Sequence, residues 1–503
     1  MAVSLLWTVS LTFPDGTVIR AATRPEGVGQ WFYDTILLED PSFDEEVDLF
    51  SLDGSAGMQQ ASVSLATSED LAAKAADWRH VVAARAELAI VIGSSSYEDR
   101  RVLIRNGRIH SLNLGLKGER TTFVVESVGS PTSTSVGSDS QDMGDEWVDP
   151  LTDTAAGGMS SLVGRKRVYV FGNPKRVPAY KVGAVSGNDR LVLCGHPLPD
   201  TGSVTVYEDD GSGISATPVN GSNSAGAYAY NDSSSIYRAA DGAYTWDAER
   251  GGIHAADSLT APALRASGVL SKLLAMSGET IDWRSMEDTL RSLHRYQCGF
   301  WVDEAASALE LVRSRMVPVF PLVEVMGPNG LYFAVADPHE RQPVVSLVEG
   351  QQLIGRASGL EFSDADVVRN EFTMNFDYNA QSGVYENSVT IDKDNDPLCY
   401  LSHQIYEETL AAKTIKTACI HDEATAYGLL RARASRLALQ RRRVSFYAAS
   451  DVLEQVRAGM VVLLTSSSWG ITSEKAVIRA ISYREAALTL HFDVLDRTFN
   501  YRR

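Results

Sequence analysis

Cysteine is scarce in this chain, whose 503 residues include only Cys194, Cys298, Cys399 and Cys419. Disulfide frameworks and zinc ribbons need cysteines at short, recurring spacings, and no CxxC pair occurs here. We therefore predict neither, and we expect the four thiols to behave as small buried hydrophobic groups. The sequence likewise predicts no metal site and no cofactor.

Long apolar runs are missing as well. No window reaches the ~18 apolar residues that a membrane-spanning helix needs. The opening residues, MAVSLLWTVSLTFPDG, have neither a basic leader nor a long apolar stretch before their first turn, so we expect no signal peptide. These absences predict a soluble protein that is made in the cytoplasm and is not secreted by the usual route.

Positive charge is in the minority, with 46 Lys and Arg against 64 Asp and Glu and a formal net charge of −18. A general affinity for the nucleic-acid backbone requires dense Lys and Arg. An acidic wall would instead repel DNA and let it slide past. The simpler interpretation is a surface kept soluble by its net charge, and neither interpretation includes specific DNA binding.

The motifs of the common catalytic sites are also absent. The histidines form no HExxH pair, and GGMSSLVG is not a GxSxG nucleophile elbow. No GxGxxG opens a helix after a strand, and no Walker loop occurs. We predict no catalytic residues, and hence a protein that is not an enzyme.

One acidic segment, IDKDNDPL, comes near to a metal site. Asp392, Asp394 and Asp396 alternate as at the start of a calcium loop. However, Pro397 stands where that loop needs glycine, and His403 stands where it needs glutamate. A polar turn is the preferred interpretation.

Charged groups also mark the longest helical pattern of the chain. His421 is a tempting acid or base, but it lies where a helix begins, and Asp422 and Glu423 more simply complement the helix dipole. In LLRARASRLALQRRR, Arg433 and Arg436 lie three residues apart on one face. A phosphate or acidic-partner site is one interpretation; the preferred one is a solvated helix face with internal carboxylate pairs.

Strand and turn signals dominate what is present. In WTVSLTFPDGTVIRAAT, apolar residues alternate from Val9 to Phe13, and Pro14–Gly16 supply the dihedral angles of a hairpin turn. Further short strands follow, with one helix over SEDLAAKAADWRH that Ser68 is expected to cap. The pattern predicts a small closed barrel or sandwich over residues 1–130.

The second region, residues 131–258, begins as a Ser, Thr, Gly and Asp-rich linker and continues as Gly/Ser/Tyr-rich β structure. Its aromatic residues are rigid and amphipathic, which suits contact with a partner, although turn packing explains them as well. The predicted partner-contact residues are Tyr228, Tyr230, Tyr237, Tyr244 and Trp246.

Helical spacing appears in the third region, residues 259–350, which we predict to be a small α/β domain. Its second helix should run from an N-cap at Asp282 to a C-cap at Gly299, and FWVDEAASALELVR should form a strand. Residues 351–503 return to β structure around one long helix. There, AGMVVLLTSSSWGI predicts a buried strand with turn residues at both ends.

The order of these last elements resembles the C-terminal part of the tail-hub (baseplate-hub, tail-tip) proteins of tailed bacteriophages and gene transfer agents. The resemblance runs through NEFTMNFDYN, EATAYGLLRARASRLALQ, VSFYAA, LEQVRAGMVVLLTSSSWG and KAVIRAISYREAALTLHFDVLD, with Met460 where the family often has Asp. Upstream, SLVGRKRVYVFGNPKRVPAYKVGAV and DPSFDEEVDLFSLDGSAGMQQASVSLAT are similar to earlier parts of such proteins.

The resemblance implies a mainly β, α+β, multi-domain fold with two tail-tube-like β-barrel domains, at 1–130 and 351–503. A β-rich insertion domain and a small α/β domain would lie between them. It also implies a homotrimeric ring at the distal tail tip of a virion, made in the host cytoplasm. The ring would cap the tail tube, adapt its six-fold symmetry to a three-fold tip, and open for DNA ejection.

The implied partners are further copies of the chain, the distal tail protein and tail tube, the tape measure protein, and a tail fibre or spike. DNA would pass through the lumen without specific binding.

Two other functions stay open at this point. One is a tail-tip receptor- or glycan-binding protein that uses the Tyr228–Trp246 stretch. The other is a tail-associated cell-wall hydrolase, which would need a carboxylate pair or a Cys/His constellation in a pocket.

Overall fold

The computed structural model describes residues between 6 and 495, and β structure predominates among them. Its longer gaps are 48–59, 92–99, 127–134, 137–167, 195–203, 221–226, 231–243, 248–264 and 336–341, and its other internal gaps span five residues or fewer.

The N-terminal region forms nine strands and two short helices. Seven of the strands pair in the order β2-β1-β7-β8-β9-β6-β5, and β2 also pairs with β5, which links the two ends of the run. The bounds are β1 Leu6–Thr12, β2 Val18–Ala22, β3 Gly27–Val28, β4 Trp31–Phe32, β5 Thr35–Glu46, β6 Gln60–Ala66, α1 Glu69–Ala75, α2 Trp78–Ala83, β7 Arg85–Val91, β8 Arg100–Asn113 and β9 Arg120–Glu126.

The local predictions for this region are largely confirmed. The predicted hairpin joins β1 to β2, with Gly16 at φ 82° and its N–H donating to the Phe13 carbonyl at 2.9 Å. Ser68 caps α1, because its Oγ accepts from the Leu71 N–H at 3.1 Å. Helix follows Ser68 as predicted, and its described parts are α1 up to Ala75 and α2 from Trp78.

The second region contains a closed six-stranded barrel, with strands in the order β12-β13-β16-β15-β14-β17. Two short strands precede it and pair with the α/β region that follows in the chain. The bounds are β10 Ser135–Val136, β11 Tyr169–Gly172, β12 Val177–Val185, β13 Asn188–Cys194, β14 Val204–Tyr207, β15 Gly213–Asn220, β16 Ala227–Tyr230 and β17 Tyr244–Asp247.

The α/β region packs two helices against a hairpin and a short strand. Their buried side chains, among them Leu270 and Phe333, belong to one core. A π-helical turn over residues 312–316 follows α5. The bounds are α3 Ala266–Met276, α4 Trp283–Leu293, β18 Gly299–Val302, β19 Ala306–Ser307, α5 Ala308–Leu311, β20 Leu322–Gly327 and β21 Gly330–Val335.

Two predictions for this region are corrected. Asp282 caps α4 as expected, but Gly299 does not end the helix; the C-cap is His294, and Gly299 begins β18. In the range 300–313, predicted as one strand, β structure is described up to Val302 and again at Ala306–Ser307, and helix begins at Ala308. The reason is local: the Ser307 hydroxyl caps α5 by accepting from Glu310 N–H at 3.0 Å, and the following apolar residues also fit one face of a helix.

The C-terminal region holds six strands in the order β22-β29-β30-β31-β28-β23, with β24 also on β28. A separate sheet, β26-β25-β27, packs against α7. The bounds are β22 Ser346–Val348, β23 Leu353–Arg356, β24 Glu361–Phe362, β25 Phe372–Asn379, β26 Val384–Ile391, α6 Pro397–Tyr406, β27 Ile415–Lys416, α7 Glu423–Leu437, β28 Arg442–Ala448, β29 Val461–Ser466, β30 Ile471–Arg484 and β31 Ala487–Val494.

The first and last β regions share one fourteen-stranded sheet, because β30 pairs antiparallel with β5. Four residue pairs make this junction, from Tyr483 opposite Phe43 to Ala480 opposite Glu46. Tyr483 is fully buried there, 5.9 Å from the Phe43 ring and 6.3 Å from the Trp7 ring. The two regions therefore have a common apolar core.

Across the part of the chain that the structure describes, we find no helix with the length and hydropathy required to cross a membrane.

Candidate functional site

The aromatic residues predicted to contact a partner lie on two strands of the six-stranded barrel. Tyr228 and Tyr230 are in β16, and Tyr244 and Trp246 are in β17, whereas Tyr237 lies outside the described residues. β16 pairs with β13 and β15, and β17 pairs with β12 and β14, so the two strands stand on opposite sides of the barrel. The structure thus brings these residues into one barrel but not onto adjacent strands.

The calcium-like segment is a polar turn followed by a helix cap. Asp392 Oδ1 accepts from the Asp394 N–H at 2.9 Å, and Asp396 Oδ1 accepts from the N–H groups of Leu398 and Cys399 at the start of α6. Among the described residues, no group of three or more His, Cys, Asp or Glu is placed to hold a metal ion.

His421 connects three segments of the chain. Its Nδ1 lies 3.2 Å from Asp377 Oδ1, and its Nε2 lies 3.1 Å from the Gly299 carbonyl oxygen. Burial alone would raise the pKa of Asp377, but the hydrogen bond to His421 and the charge of Lys175 hold it below its ordinary value. Since both ring nitrogens face acceptors, the arrangement is that of a structural tie. Asp422 caps α7 by accepting from Thr425 N–H at 2.8 Å, as its position predicts.

The arginines of α7 do not form a solvated face, which corrects the preferred interpretation. Arg436 is only 5% exposed, and the Arg433 guanidinium donates to the Pro318 carbonyl at 2.7 Å. Burial lowers the pKa of Arg433. Arg431 lies 3.7 Å from the carboxylate of Asp396, the N-cap of α6. The helix is buried on most sides because Ala, Leu and Thr occupy several of its faces.

A buried charge lies at the β5–β30 junction, and none of the sequence motifs described above includes it. Arg101 on β8 is 7% exposed and donates to Glu45 and to the carbonyls of Leu453 and Val456, each at 2.7 Å. Burial acts to lower the pKa of Arg101, but the Glu45 carboxylate outweighs it and raises that pKa. The strand pattern of the sequence does indicate its burial. Arg101 is two positions from the buried Leu103, and alternate residues of a strand face the same side.

The cysteines agree with the sequence prediction where they are described. Cys298, Cys399 and Cys419 are free and buried, and Cys194 lies in β13. Cys298 and Cys419 contact each other, and burial raises the pKa of the Cys298 thiol well above its ordinary value. A group with a raised pKa stays protonated, so the buried Cys298 thiol behaves as part of the core.

A cleft of about 450 Å³ lies between the start of α4, β21 and the segment 455–460. Its walls carry Asp282, Glu287 and Asp288 beside Arg284 and Arg457. Asp282 is already engaged as the cap of α4, where it accepts from Ser285 N–H at 3.2 Å. The cleft therefore carries charges of both signs, and one of its carboxylates is already used as a helix cap.

Comparison with known proteins gives distant similarities. No family model matches the chain, and no curated protein matches it. Among solved structures, the tail protein from Neisseria meningitidis MC58 is 9% identical, with 98% of this chain and 97% of that one covered and a TM-score of 0.40.

Two virion assemblies also contain similar chains. One chain of a native gene transfer agent particle is 14% identical over 49% of this chain and 81% of its own, with a TM-score of 0.17. A chain of the phage P2 baseplate in its activated conformation with Ca is 9% identical over 98% of each, with a TM-score of 0.22. These identities and TM-scores are too low to assign the chain to a family.

Proposed function

We propose that this chain is a structural tail hub protein of a phage or phage-like particle. Three copies form a ring at the distal end of the tail, where they cap the tail tube. The ring adapts the six-fold tube to a three-fold tip and opens for DNA ejection into the host. The proposal rests on the sequence resemblance, on the architecture of the large sheet and on the character of its surface.

The observation that carries the proposal is the pairing of β5 with β30. It fixes two β units, residues 6–126 and 346–495, in one sheet with one core. Each unit is a run of strands whose ends approach each other: β2 pairs with β5 in the first, and a bridge joins Glu349 to Leu353 in the second. Three subunits with two such units each would present six to a six-fold tube.

The buried Arg101–Glu45 pair supports a rigid relation between the two units. Glu45 lies on β5 and also accepts from the Ala458 N–H at 3.1 Å and from the Tyr483 hydroxyl at 3.2 Å. These contacts connect β5 and β8 of the first unit to β30 and the 450–460 segment of the second. A subunit that adapts one symmetry to another needs this fixed spacing, because a flexible joint would not hold a ring in register.

The charge of the chain supports its role as a conduit. With a net charge of −18, a ring of three copies would repel DNA, which would therefore pass without binding. The six-stranded barrel lies outside the large sheet and is the proposed contact for a fibre or spike, through Tyr228, Tyr230, Tyr237, Tyr244 and Trp246. The tail tube, the distal tail protein and the tape measure protein are the other proposed partners.

The mass of the purified chain in solution tests the proposal. Native mass spectrometry is expected to show a species of three times the 54.6 kDa subunit, alone or after addition of the neighbouring distal tail protein. A species that remains a single subunit under both conditions would contradict it.

A receptor- or glycan-binding protein at the tail tip is the second candidate. The separate barrel with its aromatic strands β16 and β17 favours it, because a module outside the main sheet is free to meet a receptor. Deletion of residues 228–246 would abolish binding to host cells under this function, whereas the trimer would be retained.

A further inference from the structure

Three aromatic rings form a row at one end of the α/β region. Trp301 on β18 and Tyr378 on β25 have ring centroids 5.9 Å apart at an interplanar angle of 22°. Tyr378 and Tyr385, which are opposite each other on β25 and β26, have centroids 5.1 Å apart at 51°. The row crosses three strands from two parts of the chain and is therefore a product of the tertiary fold.

The row differs in its exposure from the buried ring pairs of the described residues. Phe171 and Phe300 stack at 5.3 Å and are both buried, as hydrophobic core residues are. Trp301, Tyr378 and Tyr385 are instead each partly exposed. Near-parallel rings 5.9 Å apart are strongly offset, so each ring leaves part of its face uncovered by its neighbour. The row thus presents a stepped aromatic surface to solvent.

A strained residue organises the polar groups beside this surface. Asp377 precedes Tyr378 and has φ 59°, in the left-handed region that a strand residue other than glycine rarely adopts. This conformation turns its carboxylate to the side of the rings, where Oδ1 meets His421 and Oδ2 accepts from the Asn387 amide at 2.9 Å. Asp377 therefore fixes the position of Asn387, an exposed residue that is two positions from Tyr385.

The exposed Asn387 adds a polar group on the ring side of the sheet. It lies two positions from Tyr385 on β26, and alternate residues of a strand point to the same face. Carboxylate and amide groups at the rim supply both acceptors and donors. The rings provide apolar faces, and the rim provides directional hydrogen bonds, which is how sites for small polar ligands are built.

Pyranose rings combine the same two features. Their C–H groups carry slight positive charge and pack on the negative face of an aromatic ring, while their hydroxyls bond to amides and carboxylates. The net charge of −18 and the carboxylate of Asp377, which bonds to Asn387, disfavour an acidic sugar. We propose that Trp301, Tyr378 and Tyr385, with Asn387 at their rim, bind an uncharged oligosaccharide. This site is separate from the aromatic barrel strands and does not depend on the trimeric ring.

An array of immobilised uncharged oligosaccharides, including chitotetraose, maltotetraose and cellotetraose, tests the proposal with the full-length chain. The chain is expected to bind at least one of them. For that sugar, Trp301→Ala and Tyr385→Ala should each weaken binding by about three- to tenfold, because each removes one aromatic face on which the sugar stacks. Asn387→Ala, at an exposed position, should weaken binding because it removes the amide at the rim of the rings.

The control is Tyr447→Ala, which removes an aromatic side chain that is 43% exposed on β28, in the large sheet. It should bind as the unaltered chain does. Thermal unfolding establishes that each variant is folded, and if Trp301→Ala is not, Trp301→Phe and Asn387→Ala give the readout. Absence of binding across the array, or equal affinity in folded ring variants and the control, would overturn the proposal. A failure of the chain to form trimers would leave this result unchanged.

Discussion

The Arg101 guanidinium is the single group whose removal most directly tests the packing at the junction of the two β units. In Arg101→Ala, Glu45 keeps its charge but loses its cation, and the carbonyls of Leu453 and Val456 lose their donor. Removing one member of a buried pair costs about 3–5 kcal/mol of unfolding free energy. Urea unfolding followed by circular dichroism measures this loss.

Arg291→Ala is the matched control for that variant. Arg291 pairs with Glu287 on the exposed side of α4 at 2.9 Å, where solvent screens the charges. We expect a change of no more than ~0.5 kcal/mol. Equal effects of the two substitutions would contradict the structural role of Arg101.

Asp377 gives a prediction of pH dependence. Its pKa is lower in the folded chain than the ordinary value of 3.8, so its interactions stabilise the fold above that value and are lost as pH falls through the folded pKa. The difference in unfolding free energy between the unaltered chain and Asp377→Asn should therefore shrink as the pH is lowered from about 5 to about 3. Urea unfolding at several pH values measures it, and a difference that grows toward acid would contradict it.

Residues with local roles were predictable from sequence, and residues with distant partners were not. Ser68, Asp282 and Asp422 cap helices as their positions indicate, because a cap bonds within a few residues. The density of aromatic residues in 228–246 predicted a partner contact in that segment. The row of Trp301, Tyr378 and Tyr385 gave no signal, since its three rings lie on three separate strands and meet only in the folded chain.

At the scale of elements, we expect the turn at Gly459 to determine where β29 begins. Gly459 has φ 82°, and an added Cβ would lie 3.4 Å from the Val47 side chain. Gly459→Ala should cost about 1–2 kcal/mol of unfolding free energy, because alanine is strained in the left-handed region.

Gly355→Ala on β23 is the comparison, because its Cβ would meet nothing within 4 Å and its backbone is not in the left-handed region. We expect a change within ~0.5 kcal/mol. If chemical denaturation shows the same loss for both glycine variants, the left-handed turn is not what positions β29.

Most elements follow from local pattern, whereas their pairing does not. The hairpin β1–β2, the helix α7 and the strands β28 to β31 lie where periodicity and turn residues predict them. The junction of β5 and β30 has no local signal, since Glu46 and Arg479, which form an ion pair across it, are 433 residues apart. In α5, an apolar pattern that fits both strand and helix was decided by the Ser307 cap.

For the molecule as a whole, strand and turn signals were sufficient to predict a mainly β protein. They did not predict that the first and last β units share one sheet, nor that the region between them includes a closed barrel. Those features depend on pairings between distant segments. The shared sheet is also what gives the proposed ring its physical basis, because it holds two β units at a fixed spacing within each subunit.

Averaged electron micrographs of particle tail ends, with this chain marked by a bulky C-terminal fusion, test the ring most directly. The account predicts three equally spaced marks around a central opening at the distal end of the tail. A single mark, six marks, or marks away from that end would contradict it.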